Sequence, residues 1–458
     1  MAGAGLLLLG VIVFVGSWRG VPGETPGGAA ATPDASAQEP PEGLVLVEAL
    51  GCGACHAGVP GGETIRGAAP PFGDGAAPMA PAYVFHYMAD PQTVRPDIAP
   101  ARMPRYELDE RQRVALALFV TNDREMRGVD DALREAMARH ADADRAEGAA
   151  LYETLNCAGC HAHPEAQSRV TAPDLGLTGL RVRSEWLAGY LASPVTIRPA
   201  GPIPGEGGQM PDFRLDAAEA ASIAEYLMEL EGPDGADPAA EVADWGPQAL
   251  SPFAMNKAET LLRDRWSCLG CHRLGDDGGR IGPRLDGIAQ RLRPGYVRAF
   301  MQDPAHLAPG TIMPASLEQP DRLDLIASFL LGRDGEWTGG EPVADLPALP
   351  DTTAPGAALY AARCAPCHGV GGAGDGFNAP FLPVAPTVHA DSAAMSLRPD
   401  NTLYDGIHAG GWILGKSHRM PAFGASLDDG EKRALVAYIR TLCRCEGPAW
   451  SRDGRRGR

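Results

Sequence analysis

The sequence predicts an all-α protein, with four tandem helical units following an N-terminal apolar helix. Three recurring features lead there. A Cys-x-x-Cys-His pentapeptide occurs four times: Cys52-Gly53-Ala54-Cys55-His56, Cys157-Ala158-Gly159-Cys160-His161, Cys268-Leu269-Gly270-Cys271-His272 and Cys364-Ala365-Pro366-Cys367-His368. An aromatic stripe recurs as Tyr83, Tyr87, Pro91, Pro96, then Trp186, Tyr190, Pro194, Pro199, then Tyr296, Phe300, Pro304, Pro309. Aromatics at i and i+4 share one helix face, and the proline ends the helix. A Met-Pro pair follows every pentapeptide: Met103-Pro104, Met210-Pro211, Met313-Pro314 and Met420-Pro421. At 458 residues the chain is too long for one core, and domains of about 100 residues suit it. The four pentapeptides select four domains.

Taken in order, residues 1–18 form an apolar signal or anchor helix centred on Leu6–Val15. It is shorter than the about 20 residues of a full membrane span. It also lacks the preceding Lys or Arg of a signal peptide, and Arg19 behind it runs against the positive-inside rule for an exported chain. Residues 19–41 are a Pro/Gly/Ala/Ser tether that cannot bury a core, and a tether behind an apolar helix favours an uncleaved anchor. The four units are expected at 42–128, 146–232, 253–333 and 353–446, with a basic tail at 447–458. Opening helices precede the cysteines, two of them sharing Gly-Ala-Ala-Leu-Tyr at 148–152 and 356–360. Their small residues allow close crossing against Tyr226 and Tyr438 of the closing helices. Those closing helices run from Asp109 to Phe119, Asp216 to Leu230, Asp321 to Leu331 and Asp428 to Leu442, each with an Asp placed to cap it. The stretches 122–146, 231–253 and 333–355 read as spacers, the first being highly charged and helix-compatible.

The chemistry follows from the pentapeptide. Its thiols lie one helical turn apart, where they can form thioethers to the vinyl groups of a porphyrin, and the adjacent imidazole reaches the iron from one side. The spacing therefore attaches c-type haem, through Cys52, Cys55, Cys157, Cys160, Cys268, Cys271, Cys364 and Cys367, with His56, His161, His272 and His368 on the iron. Structural zinc would want two pairs about 15–20 residues apart. A redox dithiol gives no reason for a histidine after every second cysteine. On the other face, Met103, Met210, Met313 and Met420 follow the motif histidines by 47, 49, 41 and 52 residues. A thioether is a soft, neutral ligand, and the next proline fixes the backbone that presents it. Met88, Met301 and Met395 fit core packing better. His163, His306, His389, His408 and His418 do not recur in spacing and read as surface or loop residues, His418 being the exception to watch. Formal net charge is −18, and haem propionates add to it. Nucleic acid is thereby excluded as a partner, and a docking protein with basic residues fits.

These residues resemble the class I cytochrome c family: a small all-α domain with Cys-x-x-Cys-His after its first helix, a distal Met on a loop and a closing helix packed across the first. The resemblance covers residues 42 to 446 as four domains and implies four covalently attached haem c groups. It also implies a proline carbonyl that accepts a hydrogen bond from each motif histidine, matched by Pro173 and Pro283, then Pro71 and Pro386. The fourth unit departs from the repeat, with Gly371–Gly376 inserted after its motif and Leu403-Tyr404-Asp405-Gly406-Ile407-His408 in place of the aromatic-proline helix. It looks closer to single-haem carriers and to domains fused to terminal oxidases, and the glycine-rich run reads as a loop over a propionate. Cys443 and Cys445 remain and are expected to pair with each other or with another chain in an oxidising compartment.

The expected function is a tetrahaem c-type cytochrome anchored outside the cytoplasmic membrane. It would relay single electrons from a quinol-oxidising complex to a terminal oxidase or reductase, with no substrate chemistry of its own. His/Met ligation raises the potential. The cytochrome subunit of a membrane-bound dehydrogenase is the alternative, although such subunits usually carry three haems. A peroxidase needs an open iron, and none of the four units lacks a methionine. In a reaction-centre tetrahaem subunit the Met precedes the haem motif.

Overall fold

The computed structural model describes residues 40–451 apart from 64, 66–68, 70, 73–78, 92–101, 122–127, 162–164, 166–171, 201–209, 231–243, 317, 334, 336, 338, 341–353 and 355. The apolar helix expected at 1–18, nearly all of the 19–41 tether and most of the basic tail lie outside these residues. Among the described residues no helix is long and apolar enough to cross a membrane. The fold is mostly helical, as expected, and its one small sheet pairs Arg273–Leu274 with Asp277–Gly278 in antiparallel register. The expected aromatic stripes form: Tyr83 stacks on Tyr87, Trp186 on Tyr190 and Tyr296 on Phe300. Each lies on a helix that ends before its proline, at Pro81–Tyr87, Ser184–Ala192 and Pro294–Gln302.

The first two units exchange their opening halves. The Glu42–Leu50 helix packs not on the closing helix of its own unit, Glu110–Thr121, but on Ala217–Met228 of the second unit, and Arg145–Thr154 of the second unit packs on Glu110–Thr121. Glycine makes both crossings close. A β-carbon on Gly43 would sit 2.0 Å from the Ser222 carbonyl oxygen, and one on Gly148 would sit 2.0 Å from that of Ala115. Tyr152 therefore meets Phe119, at 5.3 Å between ring centroids, rather than Tyr226. The opening helices of the repeats at 42–128 and 146–232 thus pack on each other's closing helices. Among the described residues, one pocket combines Glu42–Leu50 with Ser184–Ala192 and Ala217–Met228, and the other combines Arg145–Thr154 with Pro81–Tyr87 and Glu110–Thr121.

The third and fourth units pack in sequence order: Pro252–Asp264 on Pro320–Leu331, and Ala357–Arg363 on Asp429–Cys443, where Tyr360 meets Tyr438 at 5.2 Å as expected. Asp216 and Asp428 each form a capping box, with Glu219 and Glu431, and Asp109 exchanges hydrogen bonds with Gln112. Asp321 does not cap. Its helix starts at Pro320, whose fixed φ suits the first position, and Asp321 sits inside the first turn.

The spacers are not all spacers. Asp131–Arg139 is a helix capped by Asp130, and it buries Leu133 and Ala136 against the neighbouring helices. Trp337 packs edge-on to Trp186, and the Gly340 amide donates to the Thr196 carbonyl at 2.6 Å. Cys443 and Cys445 form a disulfide with each other.

Candidate haem-attachment sites

Each pentapeptide is a single tight turn. The amides of His56, His161, His272 and His368 donate to the carbonyls of Cys52, Cys157, Cys268 and Cys364 at 2.8–3.0 Å, which brings the two sulfurs and the imidazole of a motif to one side. Burial pushes the thiols of Cys52, Cys157 and Cys364 up to about 12 and that of Cys268 to about 11. A catalytic dithiol needs the opposite shift. Burial also holds His56, His272 and His368 below the usual imidazole range, so they are neutral. Nδ1 of His272 donates to the Pro283 carbonyl at 2.7 Å, as the resemblance implied. With Nδ1 carrying the proton, the Nε2 lone pair is free for a metal.

The other three expected acceptors differ. Pro173 accepts from His56 at 2.8 Å, not from the histidine of its own repeat, because the loop that carries it belongs to the exchanged pocket; the Ala172 and Leu175 amides also bond Cys55 and Ala57. In the fourth unit the acceptor is the Thr387 carbonyl at 2.9 Å, one residue beyond Pro386. Pro71 is exposed, and the next residue, Phe72, stacks on His161 at 4.7 Å.

The four methionines divide by pocket. Met210 packs in the core that holds Cys52, and Met103 packs in the core that holds Cys157 and Ala158. The exchange thus puts Met210 in the same core as Cys52 and Met103 in the same core as Cys157, across the order of the chain. Met88 and Met395 are buried in apolar cores, as core packing would have them. One mainly apolar cavity of about 930 Å3 runs past all four motifs and all four Met-Pro pairs. Covalent haem fits these residues. Each motif offers two thiols and an imidazole to the cavity, and a β-carbon on Gly282 would come within 2.6 Å of the His272 ring, so a bare backbone is required beside that imidazole. Among the described residues no group of three or more His, Cys, Asp or Glu side chains gathers to hold a metal ion.

Buried asparagines join the motifs in pairs. Asn156 Nδ2 donates toward Cys55 Sγ at 3.2 Å, so motifs one and two adjoin. Asn378, fully buried, donates to the Gly270 carbonyl at 2.8 Å and toward Cys367 Sγ at 3.3 Å, while its Oδ1 accepts from the Arg280 amide at 2.7 Å. Motifs three and four adjoin through it. The sequence reading missed both residues; Asn156, directly before a motif, was the available signal.

His389, read with the other spare histidines as a surface or loop residue, lies in a turn but is buried. It is 8% exposed, stacks on His368 at 4.1 Å and accepts a hydrogen bond from the Tyr360 hydroxyl at 2.9 Å. The buried phenol keeps its proton, so it donates. His418 Nε2 donates to the Arg263 carbonyl at 2.9 Å, joining the fourth unit to the third, while His306 and His408 are exposed and His163 lies outside the described residues. The Gly371–Gly376 run wraps the fourth motif: the Gly374 and Gly376 amides donate to the His368 and Cys367 carbonyls.

Two family models match. One described as Cytochrome c matches residues 145–231, and one described as Cytochrome C oxidase, cbb3-type, subunit III matches residues 351–439. Searches of the curated proteins and of the solved structures found no match. The two matched stretches contain the second and fourth pentapeptides together with Met210-Pro211 and Met420-Pro421, and over those residues the chain is similar to cytochrome c domains, which supports an electron-transfer haem protein.

Proposed function

We propose that the chain is a tetrahaem c-type cytochrome that relays single electrons on the outer side of the cytoplasmic membrane, anchored there by residues 1–18. The observation that carries this reading is the single cavity lined by all four Cys-x-x-Cys-His motifs and all four Met-Pro pairs. Haem c, when bound, supplies a one-electron iron couple. The eight motif cysteines hold the group covalently. His56, His161, His272 and His368 would offer Nε2 to the iron, and Met210, Met103, Met313 and Met420, in that order, would be the second ligands. With a methionine offered beside every motif histidine, the protein would supply both ligands to each iron, which is why a carrier role fits better than a peroxidase.

The route proposed runs from a quinol-oxidising complex to a terminal oxidase or reductase, with the fourth unit as the exit. Support comes from the match of residues 351–439 to the cbb3-type oxidase subunit III model and from the basic tail behind it in an otherwise acidic chain. Single replacement of Met103, Met210, Met313 or Met420 tests the ligation. Each should weaken the ferric methionine–iron charge-transfer band by about one quarter and lower one reduction potential of four. A substitution that alters neither removes that methionine from the ligand set.

A further inference from the structure

Among the charged side chains that line the cavity beside the ligands, one group sits where two pockets meet. Thr178–Arg181 and Ile288–Arg291 are equivalent short helices after Pro173 and Pro283, and they meet through an antiparallel bridge between Val182 and Leu292. The Arg183 amide donates to the Arg291 carbonyl at 3.0 Å and the Arg293 amide to the Arg181 carbonyl at 2.9 Å. This joins the His56 pocket to the His272 pocket, and the two share one continuous apolar core. Arg181, Arg198 and Arg291 line the cavity at that junction together with Tyr190 and Tyr296. Arg291 is 8% exposed, lies over the rings of Trp186 and Trp337, and its buried Nε has no hydrogen-bond partner. Among the described residues, none of the three arginines has a carboxylate partner. Burial and mutual repulsion pull Arg291 down to about 10 and lower Arg198 as well. A buried charge without counter-charge is strongly destabilising, so Arg291, with the half-buried Arg181 and Arg198 beside it, calls for anions. Guanidinium forks fit carboxylates.

We propose that Arg181, Arg198 and Arg291 form one shared carboxylate site, which takes propionates from the haems of both the first and the third motif and couples these two haems at the middle of the molecule. The proposal rests on the tetrahaem reading. It also orders the relay. The second motif adjoins the first through Asn156, the first pocket joins the third at the arginines, and the third motif adjoins the fourth through Asn378. The spatial sequence is therefore second, first, third, fourth, and the central step crosses the arginine cluster.

The test is a spectroelectrochemical titration of the full chain carrying Arg291→Gln or, as a milder variant at a half-buried position, Arg198→Gln. Losing a positive charge beside two oxidisable centres favours their oxidised state. Two of the four potentials should fall together, the other two should stay, and Arg291→Lys should restore much of the shift. In a background with Cys52→Ser and Cys55→Ser, which removes the first attachment site, Arg291→Gln should move only one potential. Movement of one potential or none in the four-haem protein overturns the shared site. An intact mass with fewer than four haems would instead overturn the tetrahaem reading, so the two failures are distinguishable.

Discussion

Replacing Gly148 by Val probes the exchange of halves at the point where it is tightest. A β-carbon there would lie 2.0 Å from the Ala115 carbonyl oxygen and 2.8 Å from the Phe119 β-carbon. The two helices must then separate by about 1 Å before even a 3.0 Å contact is reached. Overpacking of this kind costs about 1–3 kcal/mol, and the gain in helix propensity over Gly returns only a few tenths. If opening is local, amide exchange at the crossing should accelerate by about 5- to 150-fold. Hydrogen-exchange mass spectrometry reads this by segment. Peptides from 110–121 and 145–154 should exchange faster, while 217–228 keeps its wild-type protection. Gly43→Val, whose β-carbon would meet the Ser222 carbonyl at 2.0 Å, should do the reverse, loosening 42–50 and 217–228 and sparing 110–121. Loss of protection at 217–228 in the Gly148 variant would mean that each unit closes on itself, and the exchanged packing would be wrong.

Ligand pairing gives a second test. In a chain with Cys52→Ser and Cys55→Ser, further loss of Met210 should leave the methionine–iron band unchanged, whereas loss of Met103 should weaken it. Asn378→Ala strips partners from the Arg280 amide and the Gly270 carbonyl, each costing about 1–3 kcal/mol, so urea denaturation should show a lower midpoint for the third and fourth units together. His389→Phe keeps the ring against His368 but leaves the buried Tyr360 hydroxyl without its acceptor, again about 1–3 kcal/mol. Its denaturation midpoint should fall while the haem count stays the same. Oxidation by the partner should slow as salt rises if docking is electrostatic, and truncation at Gly356 should abolish that fast phase.

Much of the fold was legible because the haem motif, the aromatic stripe and the Met-Pro pair are local signals, each fixed by neighbours within a few turns. Helix ends followed from Pro91, Pro194 and Pro304, and two capping boxes followed from Asp216 and Asp428. The partner of each helix was not legible. Gly43 and Gly148 make the same kind of crossing, so nothing local tells the Glu42–Leu50 helix to choose Ala217–Met228 over Glu110–Thr121. The proximal acceptors moved for the same reason: Pro173 has the right sequence context but serves the histidine brought to it in space. His389 stayed hidden because a lone histidine carries no period, and only its stacking on His368 reveals it. The arginine cluster did leave a trace, since Arg181-Val182-Arg183 and Arg291-Leu292-Arg293 occupy equivalent places after Pro173 and Pro283. That repeat becomes meaningful once the two segments are seen to pair.

The most direct measurement is the intact mass of the purified chain under denaturing conditions, with haem staining of the same band. The account predicts the polypeptide plus four covalently bound haems. A mass short by one haem or more would contradict it, and separate replacement of each motif's cysteines would show which pocket stands empty.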